Sequence, residues 1–170
     1  MLKELTMKEN INIKDFKNIK WFNKFTKNEL SIIESKFINF PEDKFINLAT
    51  LQFDLFEYNE CDDYHFLVNK LINKVTNRYS EFYIDEFECL KRNKIQITIN
   101  GKKHKKAFRV NGSRFDIENL LDFLNKILSL NNIEERFFLL DSKSDIIYPI
   151  LISPDLLEQA KVNGLIATFY

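Results

Sequence analysis

Glycine and proline are scarce in this chain, with three of each in 170 residues. Glycine reaches positive φ without steric cost and proline fixes φ while removing a donor, so the two punctuate loops and turns. Their scarcity excludes a collagen-like, linker-rich or low-complexity design and leaves elements joined by short connections. Cysteine is scarcer still. Cys61 and Cys89 stand far apart and form no paired motif, so neither a disulfide framework nor a zinc site of usual spacing is encoded. With no secretory signal in view, we expect two reduced thiols in a cytoplasmic protein. The two histidines, His65 and His104, leave little from which to build a histidine-based catalytic apparatus.

Long apolar runs are missing too. No segment approaches the ~20 apolar residues of a membrane span, and residues 1–10 lack the apolar run of a signal peptide. We therefore expect no membrane partner. Neither sign of charge is in excess, because 25 basic side chains balance 25 acidic ones. Dedicated nucleic-acid binders carry a basic surplus, since phosphate neutralisation supplies most of their affinity, so the balance argues against that class while allowing local patches. The Gly-rich phosphate loops, the G-x-S-x-G elbow and the H-E-x-x-H zinc helix are all absent. We expect no cofactor and no metal, and a non-catalytic role ahead of an enzymatic one.

What is present fits a packed core. The sequence is 45% hydrophobic and 14% aromatic, the aromatics being mostly Phe. A chain of this length buries well over half of its unfolded surface and needs no staple. A bias to Lys, Asn and Ile points to an A/T-rich genome, which discounts any lysine run as evidence of function.

Residues 1–25 are weakly patterned and are expected to form an arm or a short helix. Thr26 and Glu29 have capping-box spacing, and Leu30, Ile33 and Phe37 follow at helical intervals until Phe40-Pro41. Residues 49–57 alternate as a strand, and residues 64–79 carry an apolar stripe through Leu67, Val68, Leu71, Ile72 and Val75. Residues 81–89 read as a strand. Ile95, Ile97 and Ile99 alternate with Gln96 and Thr98, and Asn100-Gly101 is a strong hairpin signal. A return strand runs through Phe108 and Val110 to a second Asn-Gly at 111–112. The clearest helix, from Ile117 to Leu128, opens on Asp116 with a staple between Phe115 and Leu120. Two strands, 137–140 and 146–152, precede a helix capped by Ser153 with Pro154 at its first position. Asn163-Gly164 ends that helix, and residues 165–170 read as a final strand. The predicted order is α-β-α-β-β-β-α-β-β-α-β. It describes one α+β domain over residues 26–170, a mixed and mostly antiparallel sheet with about four helices packed on it.

Three places concentrate chemistry. Glu60-Cys61-Asp62-Asp63-Tyr64-His65 brings a thiol, three carboxylates and an imidazole together. A metal or enzyme reading centred on Cys61 and His65 lacks a second ligand pair, and the carboxylates raise the pKa of the thiol. The better reading is a helix start, with Asp62 or Asp63 capping the first amides. Glu57, Glu60, Asp62 and Asp63 would then form an acidic corner able to steer a basic partner. The second place is residues 101–106, Gly-Lys-Lys-His-Lys-Lys. A hairpin tip of this kind suits phosphate contact, or lysine protection of an exposed edge. A two-residue turn places Lys102, His104 and Lys106 opposite Ile99, Ile97 and Ile95, whereas a one-residue slip would swap in Lys105, Ala107 and Arg109. The third is Trp21 beside Phe22, a partner-facing anchor or a pair that packs a terminal element onto the core.

The leading expectation is a non-catalytic protein-binding module, an immunity protein of bacterial type that blocks a basic toxin domain by occluding it. The alternatives are a small enzyme or metal protein using Cys61 and His65, and a nucleic-acid binder using Lys102–Lys106.

Overall fold

The capping box at Thr26 forms as the spacing requires. The Thr26 amide donates to the Glu29 carboxylate at 2.8 Å, and the Glu29 amide donates to the Thr26 hydroxyl at 3.2 Å. The structure, a computed structural model, describes residues 13–39, 53–54, 61–90, 94–108, 116–140 and 146–166. Within them the elements run α1 (Ile13–Asn18), α2 (Lys27–Asn39), β1 (Phe53–Asp54), α3 (Cys61–Arg78), β2 (Glu86–Leu90), β3 (Lys94–Ile99), β4 (Lys102–Ala107), α4 (Ile117–Leu130), β5 (Arg136–Leu140), β6 (Ile146–Ile152) and α5 (Pro154–Val162). The chain is α+β, as the patterning implies. Among the described residues the strands form two three-stranded sheets, ordered β1-β6-β5 and β2-β3-β4, where the periodicity suggests one larger sheet. No helix among the described residues is long and apolar enough to cross a membrane.

Packing divides the chain into two compact units, residues 1–53 with 134–170 and residues 54–133. The first has a core of Phe16, Trp21, Phe22 and Phe25 from the N-terminal segment, Ile33 of α2, Ile150 and Ile152 of β6, Leu157 and Ala160 of α5, and Leu165 and Ile166 beyond it. The N-terminal residues read as an arm or short helix thus contain α1 and share this core. In the second unit α3 buries its predicted stripe, Leu67, Val68, Leu71, Ile72 and Val75. There α4 buries seven residues on one face, including Leu120, Leu124 and Ile127, and Asp116 caps it by accepting from the Asn119 amide at 3.4 Å.

Three helices end in the same way. In each, the residue past the C-cap has positive φ: Lys20 at 60°, Asn132 at 58° and Gly164 at 65°. The amide after it returns to the carbonyl five residues earlier, as Trp21 to Phe16 at 3.0 Å, Ile133 to Leu128 at 3.0 Å and Leu165 to Ala160 at 2.8 Å. This is the Schellman arrangement, which satisfies orphan carbonyls and turns the next side chain back onto the helix. Trp21, Ile133 and Leu165 are that side chain, and all three are buried. Only the third site uses glycine. A lysine with positive φ carries a penalty of about 1 kcal/mol, so Lys20→Gly is expected to stabilise the protein by up to that amount. A urea midpoint that falls in this variant would show that α1 is held by the lysine itself.

Other expectations shift in detail. The strand expected from residue 81 begins at Glu86, because α3 is followed by a turn at Ser80-Glu81 in which the Phe82 amide donates to the Tyr79 carbonyl at 2.9 Å, and residues 82–85 are irregular. Leu165 and Ile166 close a helix end and belong to no strand. The expected strand at 49–57 is described only as Phe53–Asp54, and Phe115, Val110, the second Asn-Gly and residues 167–170 lie outside the described residues.

Candidate binding surface

Asn100 and Gly101 have φ of 50° and 71°, so both central residues of the turn are left-handed. Two such residues define the primed turn whose twist matches that of the strands it joins. The turn fixes the register, and Ile99, Ile97 and Ile95 stand opposite Lys102, His104 and Lys106, the pairing read from the sequence. Opposed residues share a face. The isoleucine face of β3 is buried, with Ile95, Ile97 and Ile99 at most 2% exposed. Ile99 and His104 line one cleft with Leu130, Asn131 and Ile133, so the end of α4 lies on this side. Phe108, just past β4, meets Phe123 of α4 edge to face with ring centroids 6.3 Å apart.

The other face is polar, and on it only the middle strand is buried. Glu88, Gln96 and Lys105 form one cross-strand row, and Glu86, Thr98 and Lys103 the next. Gln96 and Thr98 are buried, and the Gln96 amide donates to the Glu88 carboxylate at 2.8 Å. Asp85 then ties β2 to the β3–β4 turn at the end of the sheet that they share. Its amide donates to the Thr98 carbonyl at 2.9 Å, and its carboxylate accepts from the Gly101 amide at 2.8 Å. The hairpin tip is therefore tied to the start of β2.

Charge is sorted across this sheet. The β2 edge carries Glu86 and Glu88, whereas β4 carries Lys102, Lys103, Lys105 and Lys106, all exposed. His104 between them is half-buried. An exposed fifth lysine comes from α4, because Lys126 lines a cleft of about 410 Å³ with Lys103, Lys105 and Lys106, with Asp122 as the carboxylate in its wall. A neighbouring cleft of about 580 Å³ shares His104, adds Lys102 and is floored by Phe82, Ile99 and Ile133. The arrangement concentrates positive potential along one edge, which suits an acidic partner.

The other predicted residues fall differently. Trp21 is fully buried, with its ring edge to face on Phe16 at 5.5 Å. It packs the N-terminal segment into the core and is not a surface anchor. Glu57 and Glu60 lie outside the described residues, as do the side chains of Cys61, Asp62, Asp63, His65 and Cys89. The backbone does place Asp62 and Asp63. Because α3 begins at Cys61, they occupy its first turn, where the helix dipole favours carboxylates, and not the cap position. Three participants escaped sequence reasoning: Asp85, the Glu88–Gln96 pair and Lys126. Only Lys126 had a signal, its place one turn from Asp122 on the polar side of an unmistakable helix. Comparison with known protein families, curated proteins and solved structures finds no match to this chain.

Proposed function

We propose that the chain is a non-catalytic protein-binding module that acts by occluding its partner, in the manner of a bacterial immunity protein that neutralises a toxin. The observation that supports this reading is the sorting of charge on a sheet whose middle strand is buried. Glutamates stand at one edge and lysines at the other, on backbone held by the Asp85 tie. Charge carried on a preorganised backbone serves recognition, because little loop entropy remains to be lost on binding.

In its specific form, Glu57, Glu60, Asp62 and Asp63 meet the basic surface of a cytoplasmic toxin domain. The test uses the product of the adjacent reading frame as the binding partner. Changing Glu60, Asp62 and Asp63 together to Lys is expected to weaken binding by at least about tenfold and to flatten its salt dependence. An unchanged affinity in the triple variant sinks the acidic-corner version.

One observation favours a second reading. Lys126 adds a charge from a separate element to the four lysines of β4, which is the beginning of a phosphate-binding surface. That reading predicts a salt-sensitive shift of labelled single-stranded DNA or RNA. Changing Lys102, Lys103, Lys105 and Lys106 to Gln should abolish the shift, and a shift that survives the change excludes β4 as its source.

A further inference from the structure

We infer that the outer edge of β4 is a docking edge for an extended acidic segment of a partner protein, which adds to the sheet as a fourth strand. The inference rests on the protein-binding reading but not on the acidic corner. β4 is the last strand in the order β2-β3-β4, and among the described residues no strand pairs with its far side. In a two-residue primed hairpin the residues flanking the turn exchange both backbone hydrogen bonds, and such pairs alternate along the ladder. With Ile99 opposite Lys102, the backbone groups of Lys102, His104 and Lys106 turn inward to β3. Those of Lys103, Lys105 and Ala107 turn outward. That outer row of donors and acceptors is what strand addition uses.

The side chains decide which strand is accepted. Lys103 and Lys105 stand on one face of β4, Lys102 and Lys106 on the other, all exposed. An incoming strand with carboxylates on both faces meets an ammonium group whichever way each side chain points. Directly opposed unlike charges stabilise a pair of strands and like charges oppose it. A second β4 edge would set lysine against lysine, so the same residues that block self-pairing select an acidic strand. Protection alone is a complete account of lysines on an edge, but it predicts no affinity for any peptide. The Asp85 carboxylate on the Gly101 amide at 2.8 Å holds the edge in place before a partner arrives, which reduces the ordering cost of binding.

The experiment uses the full chain and a defined probe, the peptide Thr-Glu-Asp-Val-Glu-Asp-Thr. A second version is N-methylated at alternate amides, and a third has Gln and Asn in place of the acids. The acidic peptide is expected to bind and to slow hydrogen exchange at the Lys103, Lys105 and Ala107 amides. N-methylation should weaken it by at least about tenfold, through lost backbone hydrogen bonds. The uncharged version should weaken comparably. Lys103→Glu with Lys105→Glu should abolish binding, and the milder Lys103→Gln with Lys105→Gln keeps the test valid if reversal perturbs folding. Equal binding of the methylated peptide overturns strand addition, as does the absence of binding by the acidic peptide. Preferential binding of a thymidine dodecamer that displaces the peptide overturns it in favour of nucleic acid. The broader reading fails separately: it is lost if no variant, nor the unmodified chain, binds the product of the adjacent reading frame.

Discussion

Trp21→Ala is expected to destabilise the unit formed by residues 1–53 and 134–170 by about 3–5 kcal/mol, the range for deleting a buried large aromatic side chain. Trp21 is fully buried and meets Phe16, which in turn meets Phe22 at 6.4 Å, and Phe22 meets Phe25 at 5.4 Å. Removing the indole leaves a cavity at the head of this chain of rings, among residues drawn from α2, β6 and α5. It also removes the side chain that the end of α1 folds back. Trp21→Phe separates the two contributions. The indole Nε1 is buried with no hydrogen-bond partner among the described residues. Phenylalanine loses volume but drops that unsatisfied donor, so its cost should be well under half that of alanine. Urea denaturation followed by amide NMR checks both variants, and a Trp21→Ala midpoint within error of the parent would refute the burial of this side chain.

Ile97→Asp should be at least as severe, about 4 kcal/mol or more, because it puts a carboxylate in the middle of a buried strand. Ile97 is 1% exposed and stands opposite His104. Imidazole alone cannot replace the water that a carboxylate loses there. The expected result is a chain in which β2, β3 and β4 lose exchange protection together. Peptide and partner binding at β4 should then disappear, since the edge exists only as part of its sheet. Retained protection in β3 would mean that the isoleucine face is open to solvent.

These two positions show what the sequence discloses and what it withholds. At Ile97 the reading is nearly complete. An Asn-Gly pair fixes the turn, the turn fixes the register, and a period of two fixes the face. Trp21 is harder to place, because the helix end that buries it carries Lys20 at the left-handed position, where glycine would have announced it. The Asn163-Gly164 ending is the same device in legible form. The burial of Gln96 and Thr98 is not legible for another reason. Alternation reports which side chains are polar, but burial depends on what packs around them: Gln96 is buried with its amide on the Glu88 carboxylate, whereas Thr98 is buried with its hydroxyl unsatisfied among the described residues. Asp85 is invisible in the same way, since its carboxylate serves an amide sixteen residues away. Two sheets in place of one follow from pairing choices that lie outside any local pattern. Of the acidic corner, only the backbone of α3 at Asp62 and Asp63 is described.

The sorting of charge across the β2-β3-β4 sheet has a consequence for the way anything approaches it. The formal charge of the chain is zero, so there is no monopole to draw a partner from afar. Two edges of opposite sign, two strand spacings or about 10 Å apart, instead make a dipole lying in the plane of the sheet. Its field falls off faster than that of a net charge and is screened over the ~8 Å Debye length of physiological salt. It exerts a torque rather than a long-range pull. A charged partner therefore arrives by ordinary diffusion and is turned to face the correct edge only within the last few water layers. Ionic strength should then alter the fraction of encounters that become productive far more than their frequency.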